Sequence, residues 1–270
     1  MGINGAALAT VVADAIAGGI YIYLMNRDHL IRMKKIFKIP QWAKLKELLV
    51  GGLALQLRNV AFNFTFLMVS RSIQSMDESG VAPAAHAIAM QTFQVGGIVL
   101  LALSIVAQTV VPAALVEKYD KTQQRTIGGV DYARSTVRRL MNWGFLLGTA
   151  LGSLQLLLLP IILKSTPLQE VRDAARMPAY IASFLQIING LVFIGEGVMT
   201  GCGDFLQLSL CTAIASVLCL ATINSLSERL GLTAIWIGFG VFNGSRLIYV
   251  WLHQYLFSPL APHRNKLKNS

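Results

Sequence analysis

At 270 residues the chain has the length of one or two soluble domains, but its composition excludes them: apolar residues make up 54% and charged residues 13%, about half the globular share, and the mean hydropathy is +0.58. The formal net charge of +10 does not point to nucleic acid. The basic residues cluster in short segments between apolar stretches, which is the pattern of membrane proteins.

A membrane-spanning helix needs about 20 mostly apolar residues. Seven segments qualify, at roughly 5–25, 48–70, 84–112, 141–163, 179–201, 206–226 and 232–257. None shows sustained strand alternation, so the expected class is all-α, a polytopic helical bundle rather than a barrel. The third segment carries Gly96, Gly97 and Pro112. A bend is expected there.

The loops set the expected orientation. Loop one (Arg27 to Lys46), loop three (Lys118 to Arg139) and the tail after residue 258 hold sixteen basic residues on one side, and the opposite side holds five. The positive-inside rule puts the tail in the cytosol and the N-terminus outside. The remaining two basic residues, Arg58 and Arg246, fall within helices.

The start, "MGINGAALATVVADAIAGGIYIYLM", has no basic n-region and contains Asp14. It does not read as a signal peptide. It reads as a point partway through a longer protein, or as the start of a truncated gene model. Cys202, Cys211 and Cys219 lie in apolar surroundings with neither CxxC spacing nor a neighbouring histidine, so they read as small core residues. No metal site is expected.

Residues three or four apart share a helix face. On the second segment such a face carries Gln56, Asn59, Asn63, Phe66 and Ser70. On the third it carries Gln91, Gln94, Ile98, Leu101, Ile105 and Gln108. On the fifth it carries Gln186, Asn189, Phe193, Glu196 and Thr200. Lipid offers amides no hydrogen bonds, so three such stripes point to a polar cavity. The plainer alternative is polar glue between helices, worth about 1 kcal/mol per bond. GxxxG spacings at Gly148–Gly152, Gly197–Gly201 and Gly240–Gly244 suit close helix packing.

Glu196, Arg58 and Asp14 lie inside apolar segments. A charge at mid-bilayer costs roughly 3 kcal/mol or more unless paired or hydrated, so each is a candidate functional group. For Arg58 the alternative is an internal ion pair with Glu196 or Asp14 that only fixes packing.

Three rival classes fit less well. "GCGD" at 201–204 matches the GxGD pattern of intramembrane aspartyl proteases, but the upstream Tyr119–Asp120 sits in a charged loop and Asp204 at a helix end. Two aspartates at one membrane depth are therefore missing, and no enzyme is expected. Seven segments suggest a receptor, yet neither Asp-Arg-Tyr after the third nor Asn-Pro-x-x-Tyr in the seventh occurs. A channel would show a filter loop or a charged ring, and neither is present.

Four stretches carry a family resemblance: "GINGAALATVVAD" at 2–14, "AAHAIAMQTFQ" at 84–94, "LALSIVAQTVVPAAL" at 101–115 and "NGLVFIGEGVMTGCGDF" at 189–205. They resemble the multidrug and toxic compound extrusion (MATE) transporters, most closely the DinF-like branch and its plant and algal relatives. The resemblance implies two six-helix lobes with both termini cytosolic. Residues 1–26 would be helix six, 27–47 the basic inter-lobe linker, 48–257 the six-helix C-terminal lobe and 258–270 a cytosolic tail. Helices one to five would be absent.

The resemblance also implies export of organic, often cationic or aromatic, solutes in exchange for H+ or Na+, with no further cofactor. The lobes would rock around solute bound between them. Partners would be the lipid bilayer, a small organic solute and the missing N-terminal lobe. Glu196 falls where the family carries an acid on helix ten, more often aspartate. Other branches carry a glutamate on helix seven, and here Arg58 stands instead. The candidate ion- or solute-binding set is Glu196, Arg58, Asn59, Asn63, Gln91, Gln94, Gln186 and Asn189. The chain reads as a multi-pass integral protein of the plasma membrane, vacuole or plastid envelope. A non-transporting fragment, or a half-transporter acting as an oligomer, is the alternative.

Overall fold

A computed structural model describes residues 2–29, 41–120 and 125–261. The loop-one residues Arg32, Lys34, Lys35 and Lys38 lie outside the described residues, as does the tail from residue 262. The chain divides into two units, 1–50 and 51–270. The first holds α1 (Gly2–Arg27), whose side chains from residue 7 to 24 are exposed, Asp14 among them. It also holds the first turns of α2 (Trp42–Met76).

The second unit holds the rest of α2, then α3 (Val81–Leu115), α4 (Val130–Lys164), α5 (Gln169–Gly201), α6 (Phe205–Leu230) and α7 (Leu232–Leu256). Between α3 and α4 a short antiparallel hairpin pairs β1 (Lys118–Asp120) with β2 (Arg125–Ile127), with Tyr119 opposite Thr126. The fold class is all-α, as expected from the apolar segments. Most helices outrun those segments, because an apolar window marks the hydrocarbon layer and helices continue into the interface.

Six of the seven helices among the described residues are long and apolar enough to cross a membrane. The helix that falls short is α2, where Gln56, Arg58, Asn59 and Asn63 dilute the apolar run. The bend expected in α3 does not interrupt its helix, which runs unbroken through Gly96, Gly97 and Pro112.

Helix α5 is the centre of the second unit and lies against α3, α4 and α7. Glycines permit the approach. A methyl on Gly148 would meet Gln186 O, and one on Gly152 would meet Ser183 O. Across the other face, a methyl on Gly197 would meet Ser104 O and one on Gly201 would meet Gln108 O. Gly240 and Gly244 make no such approach. Two of the three GxxxG spacings are therefore packing seams.

Apolar clusters close both ends. One gathers Val69, Ile73, Ala85, Leu163, Val171, Ile223 and Trp236. The other gathers Val111, Ala133, Val137, Ile194 and Leu260. The outer surface is apolar as well, with Leu53, Leu67, Leu157, Ile161, Val217 and Ile248 all more than half exposed. A surface of this kind suits lipid, not water.

Candidate functional site

Glu196 lies on the buried face of α5 and is 4% exposed. Two guanidinium groups hold it. Arg58 of α2 donates from Nη2 to Oε2 at 2.5 Å, and Arg246 of α7 donates from Nε to Oε1 at 2.7 Å. A carboxyl group accepts charge-assisted bonds on both oxygens only as the anion. The cluster is thus two cations around one anion, and it ties α2, α5 and α7 together. Arg246 also donates to Asn243 Oδ1 at 3.0 Å, and Asn243 donates to Phe239 O.

Aromatic rings frame the cluster. The Arg58 and Arg246 guanidinium carbons lie 4.9 and 5.0 Å from the Phe62 ring centre. Arg246 lies 5.0 Å from Phe242, whose ring meets Phe62 edge-on at 5.4 Å. These distances are within cation–π range. Beside them is a cavity of about 410 Å³, within the usual size for small-molecule sites. Arg58, Phe62 and Phe66 of α2 line it, with Phe93, Gln94, Ile98 and Leu101 of α3. Asn189 and Phe193 of α5 and Phe239, Phe242, Asn243 and Arg246 of α7 complete the wall.

Sequence reasoning places eight residues in the site, and the structure distributes them. Glu196, Arg58, Gln94 and Asn189 come together at the cavity or its charged cluster. Asn59 and Asn63 do not line it and are exposed. The cavity face of α2 is instead Arg58, Phe62 and Phe66, which follow at intervals of four. Gln91 lines a different groove, between α3 and α4. Gln186 is fully buried and donates from Nε2 to Phe93 O at 2.8 Å, in the space a side chain at Gly96 would fill. Its neighbour in role is Gln155, which donates to Thr92 O at 2.8 Å. Both amides bind helices together. The carboxylate partner of Arg58 is Glu196, not Asp14.

Sequence reasoning leaves Arg246 and Asn243 out of the site, along with Phe62, Phe93, Phe239 and Phe242; Phe66 and Phe193 lie on the stripes it names. A usable signal existed, because an arginine within a span is a functional candidate by default.

The "GCGD" stretch is a helix-ending turn. Gly203 takes a left-handed φ of 83°, and Cys202 and Asp204 donate back to Val198 O and Met199 O. Asp204 precedes α6 and lies 3.1 Å from His253 Nε2. Asp120 is in the hairpin of loop three, outside the candidate spans. No dyad of aspartates forms from these two.

No family model matches the chain. Similar curated proteins do exist. A protein described as the probable multidrug resistance protein NorM of Thermotoga maritima is 23% identical over 88% of this chain and 50% of its own length. The chloroplastic proteins DETOXIFICATION 44 and 45 of Arabidopsis thaliana are 24% and 23% identical, each over 92% of this chain and 44% and 42% of theirs. The chain thus spans about half the length of the curated relatives it matches. Among solved structures, a MOP superfamily transporter from Pyrococcus furiosus shares the fold, with a TM-score of 0.58 at 15% identity, over 80% of this chain and 45% of that one. That transporter is described by a binding pocket of reverse polarity suggesting a different function. The chain is thus a multi-pass membrane protein similar in sequence to transporters of the multidrug and toxic compound extrusion type.

Proposed function

We propose that the chain is the C-terminal part of a secondary active exporter of small organic solutes, coupled to H+ or Na+. On the four stretches quoted above it resembles the DinF-like branch. In this reading α1 is helix six of the complete protein and α2 to α7 form the second lobe. The carrying observation is the cavity: a bundle otherwise apolar outside keeps guanidinium groups, amides and six phenylalanine rings around about 410 Å³. Such groups inside a membrane protein are retained for a solute or ion path.

Glu196 then acts as the counter-ion that holds two arginines in the wall. Both Glu196 oxygens already accept from a guanidinium, and two adjacent cations repel a third, so in this reading Glu196 serves as counter-ion rather than as coupling-ion ligand.

Transport tests the proposal. The chain alone, reconstituted in proteoliposomes under an imposed H+ or Na+ gradient, should show no uphill efflux. Joined to an N-terminal lobe it should transport. Coupled efflux by the chain alone would overturn the partial-transporter reading in favour of an assembly of copies. Silence of the joined protein, folded and inserted, would overturn the exporter reading.

A further inference from the structure

Resting on the reading of this cavity as the solute site, we infer that its solute is a planar aromatic monoanion, an arene carboxylate or sulfonate. Three observations converge on this class.

The first is charge. The ionisable groups in the wall are Arg58 and Arg246, and the carboxylate tied to them is Glu196. Two positive charges against one negative leave +1 at the wall, with Arg246 buried and Arg58 22% exposed. A net charge held partly away from water is disfavoured until a counter-charge arrives. One anionic group on a solute completes the balance, and a cationic solute worsens it.

The second is unmet hydrogen bonding. Asn189 is 1% exposed, lines the cavity, and has no partner for Nδ2 or Oδ1. Arg58 Nε is buried and also without a partner. The large majority of buried side-chain polar atoms in native proteins are paired. A carboxylate or sulfonate supplies acceptors for both donors.

The third is how the rings are used. A cationic solute would be held by the faces of aromatic rings. Phe62 already meets both guanidinium groups and Phe242 meets Arg246. The protein's own cations therefore already take the Phe62 and Phe242 faces. What the remaining rings offer is stacking and apolar wall, which suits an uncharged aromatic body attached to the anionic group.

The test is protection from alkylation. Ile98 lines the cavity and is 69% exposed. Ile98→Cys is made in the full chain with Cys202, Cys211 and Cys219 changed to alanine, and alkylation by N-ethylmaleimide is followed in lipid nanodiscs. The probes share one ring system: 2-naphthoate, 2-naphthamide and a 2-naphthylmethyl trimethylammonium ion. We expect 2-naphthoate to protect at a concentration at least tenfold below the amide, with the cation weakest. Arg58→Gln, which lies at the more open side of the cluster, should abolish the preference for the anion. Glu196→Gln should sharpen it, and 2-naphthoate should raise the melting temperature of that variant more than of the parent. If Glu196→Gln does not fold, Arg58→Gln decides alone, and an unchanged preference there overturns the proposal. Equal or better protection by the cation also overturns it, while leaving the cavity a solute site. Protection by no probe overturns both. Equal protection of Ser79→Cys, in an exposed loop, would mark mere partitioning and count against the proposal.

Discussion

Gly144 of α4 and Gly190 of α5 face one another so closely that a methyl on either would meet the other's carbonyl oxygen. Contact at this range puts backbone against backbone, and a methyl cannot be accommodated by turning a side chain aside. With Gly148 and Gly152 it makes a seam along α4 that binds α4 to α5, which carries Glu196. In lipid such seams hold helices by close van der Waals contact, because there is no water to expel between them.

Gly190→Ala should therefore destabilise the bundle by about 1–3 kcal/mol, the usual cost of overpacking. Gly244→Ala meets nothing within 4 Å and should be neutral or slightly stabilising, since alanine favours helix by up to about 1 kcal/mol over glycine. Thermal unfolding in detergent compares the two. Equal melting temperatures would remove the seam from the account of stability.

Glu196→Gln should lower stability by about 3–5 kcal/mol, because it leaves two guanidinium groups facing each other without their carboxylate. Adding Arg58→Met removes one of the two cations and should recover part of that loss. Glu196→Asp keeps the charge and should fall nearer the parent. The readout is melting temperature for each variant. If Glu196→Gln melts with the parent, the carboxylate does not hold this cluster.

Asp77 opens the loop before α3. Its carboxylate accepts N–H bonds from Ser79 at 2.8 Å and from Ala82 at 2.9 Å. The Ser79 hydroxyl first, then these N–H groups, hold its pKa below the ordinary 3.8. A depressed carboxylate pKa contributes stability that is full above 3.8 and lost as pH falls through the lowered value. Amide protection at Ser79 and Ala82, taken relative to the intrinsic exchange rate at each pH, should fall over that acid window. Asp77→Asn should show fast exchange at neutral pH and no acid transition.

Loop three and the loop at 77–80 should lie on opposite sides of the membrane, because α3 is a candidate span between them. Arg138→Cys and Ser79→Cys, each alone in a cysteine-free background, are both exposed positions. An impermeant thiol reagent added to intact cells should label Ser79→Cys only, given the weight of basic residues on the other side. Labelling of Arg138→Cys alone would invert the orientation, and labelling of both would defeat it.

The spans were legible because a run of about 20 apolar residues is uncommon except in a helix that crosses a bilayer. The cavity face of α2 was not. Neighbouring positions on a helix differ by about 100°, so the amide face at Asn59 and Asn63 and the working face at Arg58 and Phe62 are one residue apart in sequence. An amide stripe identifies a face without saying what it meets. Phe62, Phe93, Phe193, Phe239 and Phe242 carry even less signal, since a phenylalanine in a span suits lipid and cavity equally. On α5 the ambiguity is smaller: Gln186, Asn189 and Glu196 all lie on its buried faces. Gln186 shows the limit of polarity as a guide, because its amide is spent on Phe93 O rather than on the cavity.

The Arg58–Glu196 pair joins residues 138 positions apart, and this has a consequence for biosynthesis. Helix α2 is the one among the described helices not apolar enough to cross on composition alone. Its charge has no carboxylate to meet until α5 has been translated, and Arg246 arrives later still. A span that bears an uncompensated arginine is costly to release into lipid. Helix α2 should therefore stay near the insertion machinery, or at the membrane surface, while α3 and α4 are threaded ahead of it. Final seating of the bundle would be a late event, timed by the emergence of Glu196. A ribosome stalled before residue 196 should leave α2 extractable by alkali, whereas one stalled after α7 should not.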